Sequence, residues 1–172
     1  GVHNEKLYTN PADCLQAYER LREIGHFSLA ASFGNVHGVY QADNVQLKPS
    51  ILRDVQSLVQ KTHGTAPNPM DLVFHGGSGS SEAEIREAIS YGVFKMNNDT
   101  DMQFAFAQGV GEYVMNNQNA FKHQLDKETG APYKKQYDPR VWLRKCEESM
   151  IQRLGLAFDV LGSKGKTLSD EM

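Results

Sequence analysis

Two histidines occupy matching positions in the sequence, each near the end of a short apolar segment and each followed by glycine. His37 comes after the segment 27–33, and His75 comes directly after the segment 71–74. If these segments are neighbouring parallel strands, their carboxyl ends share one edge, where both imidazoles can reach one cation. Two neutral imidazoles suit zinc, although a catalytic zinc usually has three protein ligands. We therefore predict zinc binding by His37 and His75; for either residue alone, the alternative is a hydrogen-bonded core histidine.

The five residues after His75 have the sequence GGSGS and carry almost no side chains. Backbone N–H groups in front of a helix bind anions well, and Ser81 and Glu84 have the spacing of a capping box that starts a helix. Residues 76–78 are therefore predicted to bind a phosphate, and a flexible tight turn is the alternative. The stretch 97–100 also precedes a predicted helix, so its amides could face the same anion.

Lys95 offers a different chemistry, because a lysine near the end of a barrel strand can form a Schiff base with a carbonyl substrate. Its alternative is a structural one, pairing with a carboxylate inside a barrel. The basic residues of KKQYDPR, 134–140, either form a solvated patch or capture a second phosphate. The residue types alone leave both questions open.

The elements that must position these residues alternate between strand and helix. Short apolar segments predict strands at 27–33, 71–74 and 93–96. Helix caps predict helices that begin at Asn10-Pro11, Ser81 and Asp138-Pro139, and 3.6-residue periodicity predicts helices through 51–59 and 104–114. This alternation predicts parallel strands joined by crossovers, hence an α/β sheet or barrel. The polar segment 116–138 is predicted to be a long loop.

The composition is that of an ordinary soluble globular protein. The 172 residues carry a formal charge of -3, with 23% charged and 40% hydrophobic residues and no basic stripe for nucleic acid. The sequence shows neither a membrane span nor a signal peptide, so a cytoplasmic location is expected. Cys14 and Cys146 lie in helix-like segments and are expected to be buried, reduced and without a functional role.

Four motifs occur in the order and spacing of one known family: SFGNVHGVY, LVFHGGSGS, KMNNDTD and YDPRVWLR. They closely resemble the motifs of the zinc-dependent class II fructose-bisphosphate aldolases, and the long C-terminal extension resembles the dimeric class IIA branch. The resemblance runs to about Leu161. It implies an α/β TIM (β/α)8 barrel, of which this chain supplies roughly the last three strands and a C-terminal helical extension.

The chain has no initiator methionine, and Gly1-Val2 resembles a stretch near the family's fifth strand. The N-terminal half of the barrel, with the third histidine ligand and an aspartate proton donor, is therefore expected outside this sequence. Residues 1–161 are predicted to belong to a single barrel domain, and residues 162–172 to form a disordered tail.

The resemblance also implies a role for each matching residue. His37 and His75 would be two of the three zinc ligands. The phosphate of dihydroxyacetone phosphate would be bound by Gly38, Gly76, Gly77 and Ser78, with backbone groups near them holding a monovalent cation, K⁺ or Na⁺. The ketose hydroxyl and the same phosphate would be bound by Asn97, Asn98, Asp99 and Thr100, with Asn97 the catalytic residue beside the reacting carbons. Arg140 would reach the other phosphate from the partner subunit of a homodimer, with Lys134 beside it.

The implied reaction is that of a lyase: aldol cleavage of fructose 1,6-bisphosphate to dihydroxyacetone phosphate and glyceraldehyde 3-phosphate, in glycolysis and gluconeogenesis. Zinc would stabilise the enediolate as a Lewis acid, so the resemblance makes Lys95 structural. The sequence departs from the family at Asn98, where an apolar residue is usual, and at His3, where an aspartate is common. The alternatives are a tagatose-bisphosphate aldolase and a non-catalytic zinc- and phosphate-binding remnant. The chain alone is predicted to be inactive, because the third ligand and the proton donor lie outside it.

Overall fold

The computed structural model describes residues 7–35 and 46–166. Helices and strands follow one another as α1 Pro11–Leu21, β1 Ser28–Leu29, α2 Ser50–His63, β2 Asp71–Phe74, α3 Glu82–Ser90, β3 Val93–Met96, α4 Thr100–Asn116, α5 Gln118–Lys122, α6 Lys134–Tyr137 and α7 Pro139–Val160. They group into two compact units, Gly1–Asp99 and Thr100–Met172. The single domain predicted over 1–161 stays a prediction, as does the disordered tail, of which 167–172 lie outside the described residues.

A parallel three-stranded sheet forms the centre of the first unit. Its strand order is β1-β2-β3, and Leu72 of β2 pairs with Leu29 on one side and with Val93 on the other. The predicted parallel α/β arrangement is confirmed. Because the strands are parallel and adjacent, the residues that follow β2 and β3 emerge at the same edge of the sheet.

The first strand is shorter than the sequence indicates. Only Ser28 and Leu29 pair with β2, although the apolar run continues to Phe33. Beyond β1, Phe33 forms an isolated antiparallel bridge with Tyr8, and the Thr9 amide donates to the Ser32 carbonyl. The end of the apolar run thus pairs with the N-terminal segment and not with β2.

Helix α2 covers the sheet with an apolar face whose members are almost fully buried: Leu52, Val55 and Val59. Between them lies Gln56, which is only 3% exposed. Its amide donates to the carbonyls of Met70 and Tyr91 and accepts from the Met70 amide, at 2.8 to 3.0 Å. Every polar group of this buried side chain is satisfied, and it joins α2 to the start of β2 and the end of α3.

The helix ends follow local rules, as predicted. The Asn10 side chain accepts from the Ala12 amide before Pro11, and Ser81 and Glu84 form a complete capping box in front of α3. Gly64 ends α2 in the left-handed conformation, with φ of 64°. Helix α1 ends at Leu21, and Ile24, which lies beyond its end, is 81% exposed.

The second unit consists of helices, of which α4 and α7 form the main pair. Gly109 allows their close approach, since a β-carbon there would lie 2.7 Å from the Lys145 carbonyl oxygen. Arg153 and Asp101 form an ion pair between the two helices at 2.7 Å. The segment 116–138 is not a continuous loop, because α5 and α6 lie within it. Within the described residues, no helix is long and apolar enough to cross a membrane.

Both cysteines are buried and unpaired, as expected. Burial and the neighbouring Asp13 raise the pKa of the Cys14 thiol to about 11. Three apolar side chains of α7 are exposed to solvent: Leu143, Ile151 and Phe158, at 39%, 60% and 48%.

Candidate functional site

The structure describes most, but not all, of the predicted site residues. His37 and Gly38 lie outside the described residues. The strand-end residues His75, Gly76, Gly77, Ser78, Asn97, Asn98 and Asp99 belong to the first unit, whereas Thr100 and Arg140 belong to the second. The described part of the candidate site in the first unit therefore lies at the ends of β2 and β3.

His75 is the first residue after β2, and Asn97 is the first after β3. The Asn97 amide nitrogen lies 3.0 Å from Nδ1 of His75, and both side chains are partly buried. The Asn97 backbone N–H also donates to the Phe74 carbonyl at 2.8 Å, extending the pairing of the two strands. The Asn97 amide thus holds the His75 ring at Nδ1.

Asn35 holds the same histidine through its backbone carbonyl. Its side-chain amide donates to the His75 carbonyl at 2.8 Å, while its Oδ1 accepts from the Phe33 backbone N–H at 2.8 Å. This side chain therefore joins the segment that leads to His37 to the end of β2. Sequence reasoning missed Asn35, because an asparagine beside glycine resembles an ordinary turn residue.

The glycines after His75 have different reasons for being glycine. Gly76 has φ of 64°, a left-handed conformation that side chains disfavour. At Gly77 a β-carbon would lie 2.5 to 3.0 Å from atoms of the Met96 side chain. The Gly77 N–H also donates to the Asn97 carbonyl at 3.0 Å, so this donor is engaged with the protein. Close packing of the two loops explains Gly77 independently of any anion.

Ser78 and Asn98 connect the two loops through their side chains. The Ser78 hydroxyl donates to Oδ1 of Asn98 at 2.7 Å. Nδ2 of Asn98 is buried and has no hydrogen-bond partner among the described residues. A buried amide donor without a partner is uncommon and requires an explanation.

The remaining predicted residues are Asp99 in the first unit and Thr100 and Arg140 in the second. Asp99 is exposed, and Thr100 is the first residue of α4. Arg140, in the first turn of α7, is 88% exposed and forms a two-point ion pair with Asp138, at 3.0 and 2.5 Å. The hydrogen bond from the Arg140 side chain, with a second from its backbone N–H, lowers the pKa of Asp138 to about 2.

The described residues do not by themselves form a metal centre. Among them, no group of three or more histidine, cysteine, aspartate or glutamate side chains comes together around one point. His75 is the one predicted zinc ligand that lies within the described residues. Lys95 lies on β3 and is exposed, so the described residues do not enclose its amine in an apolar pocket.

Comparison with known proteins identifies clear relatives. The family model "Fructose-bisphosphate aldolase class-II" matches residues 1–166. The chain is 52% identical over 170 residues to a fructose-bisphosphate aldolase of Campylobacter jejuni subsp. jejuni, strain 81-176, covering 96% of this chain and 48% of that protein. It is 51% identical over 160 residues to fructose-bisphosphate aldolase class 2 of Escherichia coli K12, covering 91% and 45%. The chain thus spans about half the length of the curated relatives it matches.

Solved structures agree with the sequence matches. The crystal structure of Fructose-bisphosphate Aldolase (Fba) from Campylobacter jejuni superposes with a TM-score of 0.86 at 51% identity, covering 97% of this chain and 49% of that chain. The YdjI aldolase of Escherichia coli K12 superposes with a TM-score of 0.59 at 28% identity, covering 92% and 47%. Both relatives extend well beyond the part that this chain matches.

Proposed function

This chain belongs to the class II fructose-bisphosphate aldolase family, and we propose that it supplies part of the active site of a lyase that cleaves fructose 1,6-bisphosphate to dihydroxyacetone phosphate and glyceraldehyde 3-phosphate. The observation that carries the proposal is the pairing of His75 with Asn97 at one edge of the parallel sheet, at 3.0 Å. The family match over residues 1–166 supports the proposal that the ketose binds at this edge.

Zinc is the metal that this site is proposed to bind, through His75 and His37. The donor chemistry at His75 fits, because a neutral imidazole is a typical zinc ligand and the Asn97 side chain, 3.0 Å from Nδ1, can hold the ring. Bound zinc would supply Lewis acidity at the ketose carbonyl. We place the third histidine ligand and the aspartate proton donor in the part of the relatives that this chain does not cover.

Asn97 is proposed as the catalytic residue that this chain provides. Its amide contacts Nδ1 of His75 and still has a second N–H and a carbonyl oxygen for the ketose hydroxyls. Holding the imidazole and a substrate hydroxyl with one amide fixes the reacting carbons relative to the metal site. Such positioning lowers the barrier by restricting the reactants to productive geometries.

The phosphate that becomes that of dihydroxyacetone phosphate is assigned to the loops after β2 and β3. This assignment includes Gly38, Gly76, Gly77, Ser78, Asn98, Asp99 and Thr100, with a K⁺ or Na⁺ ion held by nearby backbone groups. The left-handed Gly76 and the capped start of α3 support it, because backbone donors in front of a helix favour anions. Arg140 is assigned to the other phosphate, across the interface of a homodimer, and its exposed guanidinium is consistent with that role.

The wider setting of the proposal follows the family. The three parallel strands would form part of a TIM barrel, and the reaction would belong to glycolysis and gluconeogenesis in the cytoplasm. The remaining strands would come from a polypeptide that corresponds to the other half of the relatives.

Cleavage assays on the chain with and without such a polypeptide test the proposal. The 172-residue chain is mixed with the part of the Campylobacter jejuni enzyme that it does not cover, and release of glyceraldehyde 3-phosphate is measured. We expect no turnover by either part alone, turnover by the mixture, and its loss on adding a chelator or substituting His75→Ala. His123→Ala, at an exposed histidine, is the matched control and should have no effect.

Each alternative has its own outcome in the same assay. Faster turnover of tagatose 1,6-bisphosphate than of fructose 1,6-bisphosphate would indicate the other ketose. No turnover of either ketose by a well-folded mixture would indicate a non-catalytic remnant. Turnover that survives the chelator, with a borohydride-trapped substrate adduct on Lys95, would replace zinc with Schiff-base chemistry.

A further inference from the structure

We propose that Asn98 lowers the affinity of this site for phosphate, because its side-chain carbonyl accepts the hydrogen bond that the Ser78 hydroxyl donates. The inference rests on the proposed function, which assigns Ser78 to a phosphate. Its structural basis is the hydrogen bond from the Ser78 hydroxyl to Oδ1 of Asn98, at 2.7 Å between residues 20 positions apart in the chain.

A serine hydroxyl has one proton, so it can donate only one strong hydrogen bond at a time. The oxygens of a phosphate monoester dianion accept hydrogen bonds, which means that Ser78 must use this proton to bind one. In the structure the proton is directed to Asn98. Phosphate binding by Ser78 therefore requires the Ser78–Asn98 bond to break.

The amide of Asn98 has no second bond that would compensate for this loss. Its Nδ2 atom is buried and has no partner among the described residues, so Ser78 is the partner that the structure gives the amide group. When a phosphate takes the proton, Oδ1 loses its donor while Nδ2 stays unpaired. A buried polar group left without a partner raises the free energy of the bound state.

An apolar residue of similar size would remove this competition. In Asn98→Leu, the Ser78 hydroxyl loses this carbonyl acceptor, so phosphate binding no longer has to break the bond to Asn98. We expect Asn98→Leu to bind inorganic phosphate about threefold to tenfold more tightly than the unchanged chain, the equivalent of one hydrogen bond.

Titration calorimetry with inorganic phosphate at about pH 8, where the dianion predominates, tests the inference on the 172-residue chain. Four proteins form a double-mutant cycle: the unchanged chain, Asn98→Leu, Ser78→Ala and the double variant. Ser90→Ala is the matched control, because its hydroxyl donates to the Glu87 carbonyl at the end of α3, at 2.6 Å. Circular dichroism establishes that each variant is folded.

The expected result is tighter phosphate binding in Asn98→Leu, weaker binding in Ser78→Ala, and no effect of Asn98→Leu once the Ser78 hydroxyl is gone. Unchanged or weaker binding in Asn98→Leu, or tighter binding that persists without the hydroxyl, would overturn the inference and leave the phosphate site standing. If the folded, unchanged chain and all variants bind no phosphate, the inference and the proposed phosphate site fail together.

Discussion

The side-chain amide of Asn97 lies 3.0 Å from Nδ1 of His75, so the first residues after two neighbouring strands are in direct contact. The two residues are 22 positions apart, and the parallel pairing of β2 with β3 brings them together. The contact limits rotation of the imidazole ring. It also sets the ring tautomer, because a neutral imidazole that accepts the amide N–H at Nδ1 carries its proton on Nε2.

Substituting Asn97→Ala should weaken zinc binding by the chain. The alanine removes the side chain that fixes the His75 ring. When Nε2 binds the metal, the ring proton lies on Nδ1 and the Asn97 amide oxygen can accept it; loss of such a partner typically lowers metal affinity by about tenfold to a hundredfold. Competition with a chromophoric chelator measures the affinity. Asn117→Ala is the control, since this asparagine donates to the Tyr113 carbonyl in the second unit. Equal affinity in Asn97→Ala and the unchanged chain would show that the amide does not support the metal ligand.

Asn35 provides a second test of how His75 is held. Asn35→Asp keeps an acceptor for the Phe33 N–H but loses the donor to the His75 carbonyl, whereas Asn35→Ala loses both bonds. We expect Asn35→Asp to lower the free energy of unfolding by about 1–2 kcal/mol, and Asn35→Ala to lower it further. Urea unfolding measures both values. If Asn35→Asp is as stable as the unchanged chain, the bond to His75 contributes nothing to the fold.

The glycine at 77 allows packing and anion binding to be separated. Gly77→Ala should lower the free energy of unfolding by about 1–3 kcal/mol, because the new β-carbon meets Met96. Met96→Ala creates space at that point, so the double variant should be less destabilised than the sum of the two single variants. Thermal or urea unfolding of all four proteins gives the coupling. If the effects of the two substitutions are strictly additive, contact with Met96 is not the reason for a glycine at position 77.

The features that could be predicted from the sequence are those that depend on local rules. The capping box of Ser81 and Glu84 and the N-cap Asn10 are examples, because each involves residues within three positions of each other. The neighbouring parallel strands follow from strand–helix alternation, and that placed His75 and Asn97 at one edge.

What could not be predicted depends on contacts between distant parts of the chain. The bridge that Phe33 forms with Tyr8 joins residues 25 positions apart. The link from Asn35 to His75 spans 40 positions, and no local pattern distinguishes it from a turn. The Ser78–Asn98 bond is of the same kind. Phosphate binding, the role predicted for Gly77 from the sequence, also explains this glycine only in part, because its contact with Met96 arises when two loops pack together.

The ion pair between Asp138 and Arg140 gives a pH-dependent prediction. The folded pKa of Asp138, about 2, lies below its ordinary value of 3.8, mainly because of the Arg140 side chain. The stabilising contribution of the carboxylate is therefore complete above the ordinary value and is lost as the pH falls towards 2. The carboxyl carbon of Asp138, followed by NMR, should titrate near pH 2 in the unchanged chain and closer to 3.8 in Arg140→Ala.

This titration also reports on the proposed role of Arg140. Its guanidinium makes two contacts with Asp138, so binding a substrate phosphate must weaken them. The same titration in the presence of fructose 1,6-bisphosphate should therefore give a higher pKa for Asp138, because the carboxylate loses its main partner to the phosphate. Arg144→Ala, which removes another exposed arginine of α7, is the control and should leave the shift in place. An Asp138 titration that does not respond to the ligand would show that Arg140 stays with Asp138 and does not bind the phosphate in this chain.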